Sequence, residues 1–596
     1  TRRKIMPNEN LDIDSRTTEQ LYEWYLQGNL IVNRRYQRKL VWSLEEKTSL
    51  ISSMLQQYPI PLLLFVTINE QREILDGMQR LEAIMSFIEQ RFSLDGQYFD
   101  LDSIALTKQL KDNGTLIQKE PILSRDSSAI IARYRFAISE YSSTNENIDE
   151  VFRRINSNGK ILSKQELRSA GTVSNFSELV RSISTSIRGD TSHSDIMNLQ
   201  QMHKISISND RLEYGVNIDN HFYIKHHILT RRSIRDSDDE ELIANILAYI
   251  SLEEKPTSGS TSLDTFYGQG NSSHAHGVRQ QLESFIQTNN AATIKQNFIA
   301  VYELITSLYD GKNDTFRSHI LGEDNSSQEC PRYYQAVFLS IYELLFNQNM
   351  QLIDKEGLFS QLKNTGNTII MVTDGGRWAA STREKSVNDL VALISRYFQP
   401  APQKYVNHAW VTEIRNLLTN SRTEQPSYDF KQGFFNLSGK NEFDDECLKG
   451  ILQTCVAINN IGKSAKGYIL VGIAENKLTA DRIQHLYGVN SIEFNGFYIN
   501  GIDHEAMLVS GSIDDYFMLI KQKIQGYNFT ETLKQQILKN IEFCSYNGLH
   551  ILKITIQSTG QICDFENMFY IRQGSSTDPV TDTQKISALF NSYMNS

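Results

Sequence analysis

The sequence predicts a multi-domain protein with a mixed α+β segment at the N-terminus, a mostly helical middle and an α/β segment at the C-terminus. Three observations carry this. A chain of 596 residues is too long for a single hydrophobic core. Short apolar runs bounded by Pro and Gly alternate with helix-spaced apolar positions before residue 170, and again after 402. Between those points the apolar spacing is almost entirely helical. The expected borders are therefore 1–170, 171–402 and 403–596, with Gln399-Pro400-Ala401-Pro402 as the linker before the last segment.

In the first segment Ser43-Leu44-Glu45-Glu46 reads as a capping box, in which a hydroxyl and a carboxylate satisfy the free amides of a helix start. Leu50, Ile51, Met54, Leu55 and Tyr58 follow at helical spacing, and Pro59 and Pro61 stop the helix. Leu62 to Ile68 reads as a buried strand and Arg72 to Leu75 as a second, short one. Asp76-Gly77 turns the chain into a helix whose inner face carries Leu81, Ile84, Met85 and Ile88. Val151, Phe152 and Ile155 mark a further helix closed by Asn158-Gly159, and Ser163-Lys164-Gln165-Glu166 caps the next.

The middle segment holds helices such as Glu240 to Leu252 and Tyr333 to Phe346. A polar, Gly/Ser-rich stretch, Lys255 to Gly277, reads there as a mobile loop. In the last segment Tyr428 to Lys431 is a short strand, and Asp444 caps a helix bearing Leu448, Ile451, Leu452, Cys455 and Ile458. Gly467 to Ile473 is a continuous apolar strand of the kind buried on both faces. Strands at Gly496 to Tyr498, Ile551 to Ile556 and Met568 to Arg572 follow.

Composition narrows the function classes. The longest apolar stretch, Ile60 to Val66, is far short of the roughly 20 residues of a membrane-spanning helix. The charged first residues contain no apolar core of a secretory signal, and Thr1 in place of Met implies that native residues precede it. Five scattered cysteines form no C-x-x-C pair, which argues against a zinc site or a disulfide framework and for a reducing, cytoplasmic setting. A net charge of −10 argues against a general nucleic-acid coat but allows local basic patches.

Three N-terminal clusters stand out: Arg34-Arg35-Tyr36-Gln37-Arg38, Asp76-Gly77-Met78-Gln79-Arg80 and Phe152-Arg153-Arg154-Ile155-Asn156. A glycine before a helix lets backbone approach a ligand, and the first-turn amides attract an anion. Arg80 can offer a planar fork to phosphate. Asp76 can orient a ribose hydroxyl, hold a metal-bound water or act as a general base. Asp-Gly is also an ordinary turn, and spacing alone leaves that reading open.

The pieces YQRKLVW, YPIPLLLF, ILDGMQRLEAI and VFRRINSNGKILSKQELRSA, in this order over about 170 residues, resemble the ParB/sulfiredoxin-like "DGQQR" domain. That domain heads GmrSD-type restriction enzymes and phosphorothioate-sensing anti-phage effectors. The resemblance implies binding and hydrolysis of a nucleoside triphosphate (GTP, ATP or CTP) that governs an attached nuclease. By motif position it points to Asp76, Gly77, Gln79 and Arg80, supported by Gln37, Arg38 and Asn156. Met78 replaces the motif's first glutamine and cannot hydrogen-bond a phosphate or water as an amide would.

At the C-terminus, His408, His485, His504 and His550 match no HNH pattern, and His226-His227 and His274-x-His276 lack further ligands nearby in sequence. Acidic residues are the stronger signal. If the strand of Asp429 lies beside Gly467 to Ile473, the carboxylates of Glu424, Asp429 and Glu475 can converge at one sheet edge. Such hard oxygen ligands suit Mg²⁺ or Mn²⁺, with Lys431 meeting charge on a phosphate.

Glu424-x4-Asp429-Phe430-Lys431, Ala457-Ile458-Asn459-Asn460, the strand GYILVGI and Tyr570-Ile571-Arg572-Gln573-Gly574-Ser575-Ser576 resemble the Schlafen AlbA-like domain over roughly 420 to 580. Nuclease members of that family use an acidic triad on these elements; other members only bind. Asp429 stands for the usual glutamate, and Ala474 occupies the usual acidic position, with Glu475 one residue later. Lys463, Lys466 and Arg572 flank this region as phosphate contacts. The two resemblances together imply an anti-phage, nucleotide-regulated nuclease acting on phage DNA, modified or not, or on RNA such as tRNA. The habits of both families imply a homodimer. The alternative is a regulatory protein that binds nucleic acid or nucleotide without cutting and acts through a partner.

Overall fold

The computed structural model describes residues 11–34, 39–68, 71–142, 163–170, 174–191, 196–208, 215–219, 221–268, 272–323, 328–372, 377–401, 410–422 and 425–595. Gln37, Arg38, Asn156 and Glu424 lie outside these ranges, as does the helix expected around Val151 to Gly159. The chain folds as two units, Thr1–Asn407 and His408–Ser596, each mixing helices with small sheets.

The first unit begins β1 (Leu11–Thr17), α1 (Thr18–Leu26), β2 (Leu30–Asn33), α2 (Leu44–Leu55), β3 (Leu63–Ile68), β4 (Gln71–Asp76) and α3 (Met78–Ile88). It continues through β5 (Arg135–Ser142), α4 (Lys164–Ala170), α5 (Asn175–Arg188) and β6 (Ile196–Asn198). These strands form one mixed sheet in the order β1-β5-β3-β4-β2-β6. The capping box at α2 forms as expected: Ser43 Oγ accepts from Glu46 N, and Glu46 Oε2 accepts from Ser43 N at 2.8 Å. Ile51 and Met54 of α2 join Leu81, Ile84, Met85 and Ile88 of α3 in the core against β3. The second box forms at α4, where Ser163 N donates to Glu166 Oε2 at 2.9 Å.

Helices dominate the rest of this unit, among them α6 (Asp238–Ser251), α7 (Ser260–Phe266), α8 (Ser273–Asn289) and α9 (Pro331–Tyr342). Two expectations are corrected here. The Gly/Ser-rich stretch Lys255 to Gly277 is mostly ordered: Ser258–Gly259 pairs with Arg377–Trp378, and α7 buries Leu263 and Phe266. Ser272 caps α8, accepting from Ala275 N, a role that composition misreads as loop. Gln399 and Pro400 belong to a strand, Phe398–Pro400, paired with Met350–Leu352, because Phe398 is buried and draws the polar residues into the pairing. Among the described residues no helix is long and apolar enough to cross a membrane.

The second unit contains β7 (Tyr428–Lys431), α10 (Asp445–Asn459), β8 (Lys466–Val471), β9 (Ile473–Ala474), β10 (Ile492–Phe494) and β11 (Phe497–Ile499). After further helices come β12 (Ile541–Tyr546), β13 (Leu549–Gln557), β14 (Asp564–Phe565), β15 (Met568–Gln573) and β16 (Ser576–Val580). The main sheet runs β7-β8-β13-β12, with β7 and β8 parallel and Asp429 opposite Ile469. The strand expected to run unbroken to Ile473 stops at Val471. Gly472 takes φ +110°, and the chain passes into β9 of a second sheet with β11 and β10.

Candidate functional site

The N-terminal candidate forms where β4 meets α3. Gly77 sits at φ +102°, a left-handed conformation that L side chains rarely adopt, and a Cβ there would overlap Leu63 Cδ2. The turn places Asp76 at the surface, its side chain 52% exposed, just ahead of the free amides at the α3 start. Arg80, four residues on, returns to Asp76: its Nη2 donates to Asp76 Oδ2 at 2.8 Å and to Leu62 O at 3.2 Å, and its Nη1 to Pro61 O. The guanidinium thus ties Asp76 to the Pro59–Pro61 segment and is largely occupied. Gln79 likewise faces protein, accepting from Val41 N at 3.0 Å and Trp42 N at 3.3 Å and donating to Lys39 O at 2.7 Å. Its amide therefore anchors the stretch that follows the arginine cluster. Met78 is 5% exposed in the core, which accounts for an apolar residue at that place in the motif.

Charged pairs that sequence reading did not single out support this turn from below. Lys47 and Glu82 pair at 2.5 Å between α2 and α3, both side chains at most 3% exposed, and Ser86 Oγ donates to Glu82 at 2.6 Å. Arg34, the first residue of the arginine cluster, donates to Asp190 O at 2.6 Å. Lys39, behind it, donates to Ile234 O at 2.6 Å, and burial lowers its pKa. Their partners lie about 150 to 195 residues away in sequence, so no local pattern could have disclosed them.

The C-terminal candidate is built on β7. Strand alternation puts Asp429 and Lys431 on the face that also carries Ile469 and Val471, under α10. Asp429 is 9% exposed; Lys431 Nζ stands 2.7 Å from its Oδ2 and Arg572 Nη1 3.8 Å from its Oδ1. The buried Oδ2 accepts no hydrogen bond of ordinary geometry, so its acceptor capacity is met only by the ion pair. Glu475 is exposed just past β9, and its pKa is raised, first by desolvation and then by Asp429, with Lys431 and Arg572 pulling the other way. The break at Gly472, whose N–H donates to Lys431 O at 2.8 Å, brings the chain after β9 back within electrostatic range of Asp429.

Arg572 sits differently from the open phosphate contact expected of it. Its side chain is 1% exposed and donates to Pro426 O at 3.1 Å, Tyr428 O at 2.7 Å and Thr577 Oγ1 at 2.9 Å, bracing β7 against β15. Lys466 is exposed at the start of β8, roughly 10 Å along the strand from the level of Asp429, with Lys463 beyond it. Both stand at the opposite end of β8 from Glu475. Glu505 escaped the sequence reading: it is 1% exposed, accepts from Phe434 N, Phe435 N and Tyr516 OH at 2.9 Å each, and burial pushes its pKa up to about 7. It holds the turn that follows β7.

Among the described residues no group of three His, Cys, Asp or Glu side chains converges as a metal site. Asp429 and Glu475, which interact electrostatically, are hard oxygen donors of the type Mg²⁺ or Mn²⁺ takes, and the Oδ2 of Asp429, without a hydrogen bond, fits such a use. His226 is buried against Phe222 and accepts from Phe316 N at 3.1 Å, which makes it a core group.

No curated protein matches the chain. Residues 19–172, which contain the Asp76–Arg80 turn and the Lys47–Glu82 pair beneath it, match the family model of the GmrSD restriction endonuclease N-terminal domain.

Proposed function

We propose that the protein is a restriction-type nuclease of phage defence, in which a nucleotide at the Asp76–Arg80 turn governs cutting of nucleic acid at the Asp429 site. On this reading residues 1–170 are ParB/sulfiredoxin-like and 403–596 Schlafen AlbA-like, joined by the helical region. The match of residues 19–172 supports the restriction class. The observation that carries the cutting site is the Asp429–Lys431 pair where β7 ends and β8 breaks, within electrostatic range of Glu475.

In the N-terminal unit the first amides of α3 would take a phosphate, and the half-exposed Asp76 would face the nucleotide while Arg80 fixes its rotamer. Gln37, Arg38 and Asn156 complete the proposed nucleotide site. In the second unit Asp429 and Glu475, with Glu424, would hold Mg²⁺ or Mn²⁺, which supplies Lewis acidity for attack of water on a phosphodiester. Lys431, its side chain 33% exposed, meets charge that builds on the phosphate oxygens, and Arg572 orients Asp429. Lys463 and Lys466 extend the cationic track along the start of β8.

One observation favours a second reading, a module that binds without cutting: Lys431 already balances Asp429 at 2.7 Å. Incubating the protein with plasmid, modified phage DNA and tRNA separates the two. Each is run with Mg²⁺ or Mn²⁺, with chelator, and with or without GTP, ATP or CTP. The nuclease reading expects cutting that chelator and Asp429→Ala abolish and that nucleotide or Asp76→Ala alters. Nucleotide turnover without cutting would establish the binding module and withdraw the acidic triad.

A further inference from the structure

A cleft of about 630 Å³ opens in the first unit between the start of α4, the α6 region and the start of α9. It is assembled across the end of the family-matched segment, through Ser163 and Lys164, and the helical region beyond it. The Ser163-capped helix α4 builds one side of it. Arg168 of α4, 1% exposed, reaches Glu241 at 2.5 Å, Asp264 at 2.6 Å and Ser260 Oγ at 2.6 Å, and Glu241 and Ser260 line the cleft.

Its unmet chemistry is one-sided. Asn245 and Gln335 line it at 5% and 3% exposure, and neither amide oxygen accepts a hydrogen bond. The Asn245 NH₂ is used, donating to Glu241 O at 2.9 Å, so the oxygen's orientation is set. Asp238, half-buried, has no ion-pair or hydrogen-bond partner among the described residues, while the neighbouring Glu329 caps Thr230 N at 2.9 Å. Burial and the acids around it push the Asp238 pKa up to about 7. These groups therefore call for donors. The lining also carries cations: Lys164 is exposed, Arg232 is 91% exposed with Asp236 at 3.6 Å, and Arg332 is the third. Leu242, Leu263 and Pro331 supply apolar lining. A ligand that fits combines N–H donors, an apolar body and an anionic group. The volume exceeds what an amino acid fills and lies in the range of nucleotide-sized ligands.

We propose that this cleft is a nucleotide-recognition site that reads the amino-bearing edge of a base at Asn245, Gln335 and Asp238 and takes the phosphates at Lys164 and Arg232. The inference rests on the nucleotide-handling reading above and moves base selection from the Asp76 turn to the junction with the helical region.

Equilibrium binding of fluorescent ATP, GTP, CTP and UTP to the full chain tests it, with 8-azido-ATP crosslinking and peptide mapping as a second measurement. UTP, which has no exocyclic amine, is expected to bind at least about tenfold more weakly than the other three. Gln335→Leu is expected to erase that preference, and the exposed pair Lys164→Gln/Arg232→Gln to weaken all four by about tenfold or more. Crosslinks are expected within 229–245 or 329–335. Unchanged binding in the rim pair, or crosslinks only around 76–80 with loss in Asp76→Ala, would overturn this inference and leave the proposed function standing. Absence of any nucleotide binding would overturn both.

Discussion

Asp429 and Glu82 show two uses of a buried carboxylate. Glu82 is closed off: Lys47 at 2.5 Å and Ser86 at 2.6 Å leave it no role but holding α2 to α3. Lys47→Met is therefore expected to cost roughly 3–5 kcal/mol in urea unfolding, because an uncompensated charge remains buried. Adding Glu82→Leu should recover much of that loss, and a double variant as unstable as the single would show that the pair is not the cause. Asp429 keeps a buried oxygen with only an ion pair, and Glu475 lies near enough to feel it. Asp429→Asn keeps the shape and is expected to reduce cutting about 100-fold or more. It should lower stability by only about 1–3 kcal/mol, since Arg572 retains its carbonyl partners. An active Asp429→Asn protein would remove this carboxylate from the chemistry.

Among the elements, the two that position the sites are a turn and a break. Gly77 ends β4 and starts α3 at a φ of +102°, over Leu63. Gly77→Ala adds left-handed strain and displaces Leu63, and is expected to destabilise the first unit by about 1–3 kcal/mol. Its more specific effect should be weaker nucleotide binding, measured by titration at a temperature where the variant is still folded. At Gly472 the ideal Cβ would lie 3.1 Å from Gly501 Cα, so the hinge from β8 into β9 depends on close backbone approach. Both glycines were visible in sequence, Gly77 by its place before a helical pattern and Gly472 only as one more residue in an apolar strand. Alternation cannot disclose a break at which a backbone 29 residues further on approaches so closely.

Over the whole molecule, buried titratable groups set the pH dependence. Burial holds His203 at about 3 and His226 and His319 at about 4, against an ordinary value near 6.5. Between those values the unfolded chain binds more protons, so their contribution to stability is complete above about pH 6.5 and is lost as pH falls towards 4. Glu505 has the opposite sign. Its folded pKa of about 7 exceeds the ordinary 4.5, so stability it contributes below pH 4.5 is lost as pH rises through 7. Urea midpoints from pH 4.5 to 8 should show an acid-labile first unit, and Glu505→Gln should flatten the alkaline slope of the second. The slope is the readout there, because the amide also loses one of the carboxylate's acceptors. An unchanged slope in Glu505→Gln would place the alkaline loss elsewhere.

Local chemistry made much of this legible in the amino-acid sequence. Both capping boxes, the β3–β4–turn–α3 series, the β7 strand and the Asp444-capped helix depend on neighbours within a few residues, and spacing reports them. The adjacency of the Asp429 strand to the apolar strand was foreseen as a condition, and the β7–β8 pairing meets it. Tertiary contacts alone decided the rest. Arg80 and Gln79 look like ligand contacts in a motif, yet both amide and guanidinium are largely spent on carbonyls and amides 18 to 40 residues away. Arg572 became a buried brace, and Asn245, Gln335 and Asp238 met around a cleft that no local pattern marks. The physical reason is that residue type sets what a side chain can bind, whereas burial and distant backbone groups set which of those bonds remain open.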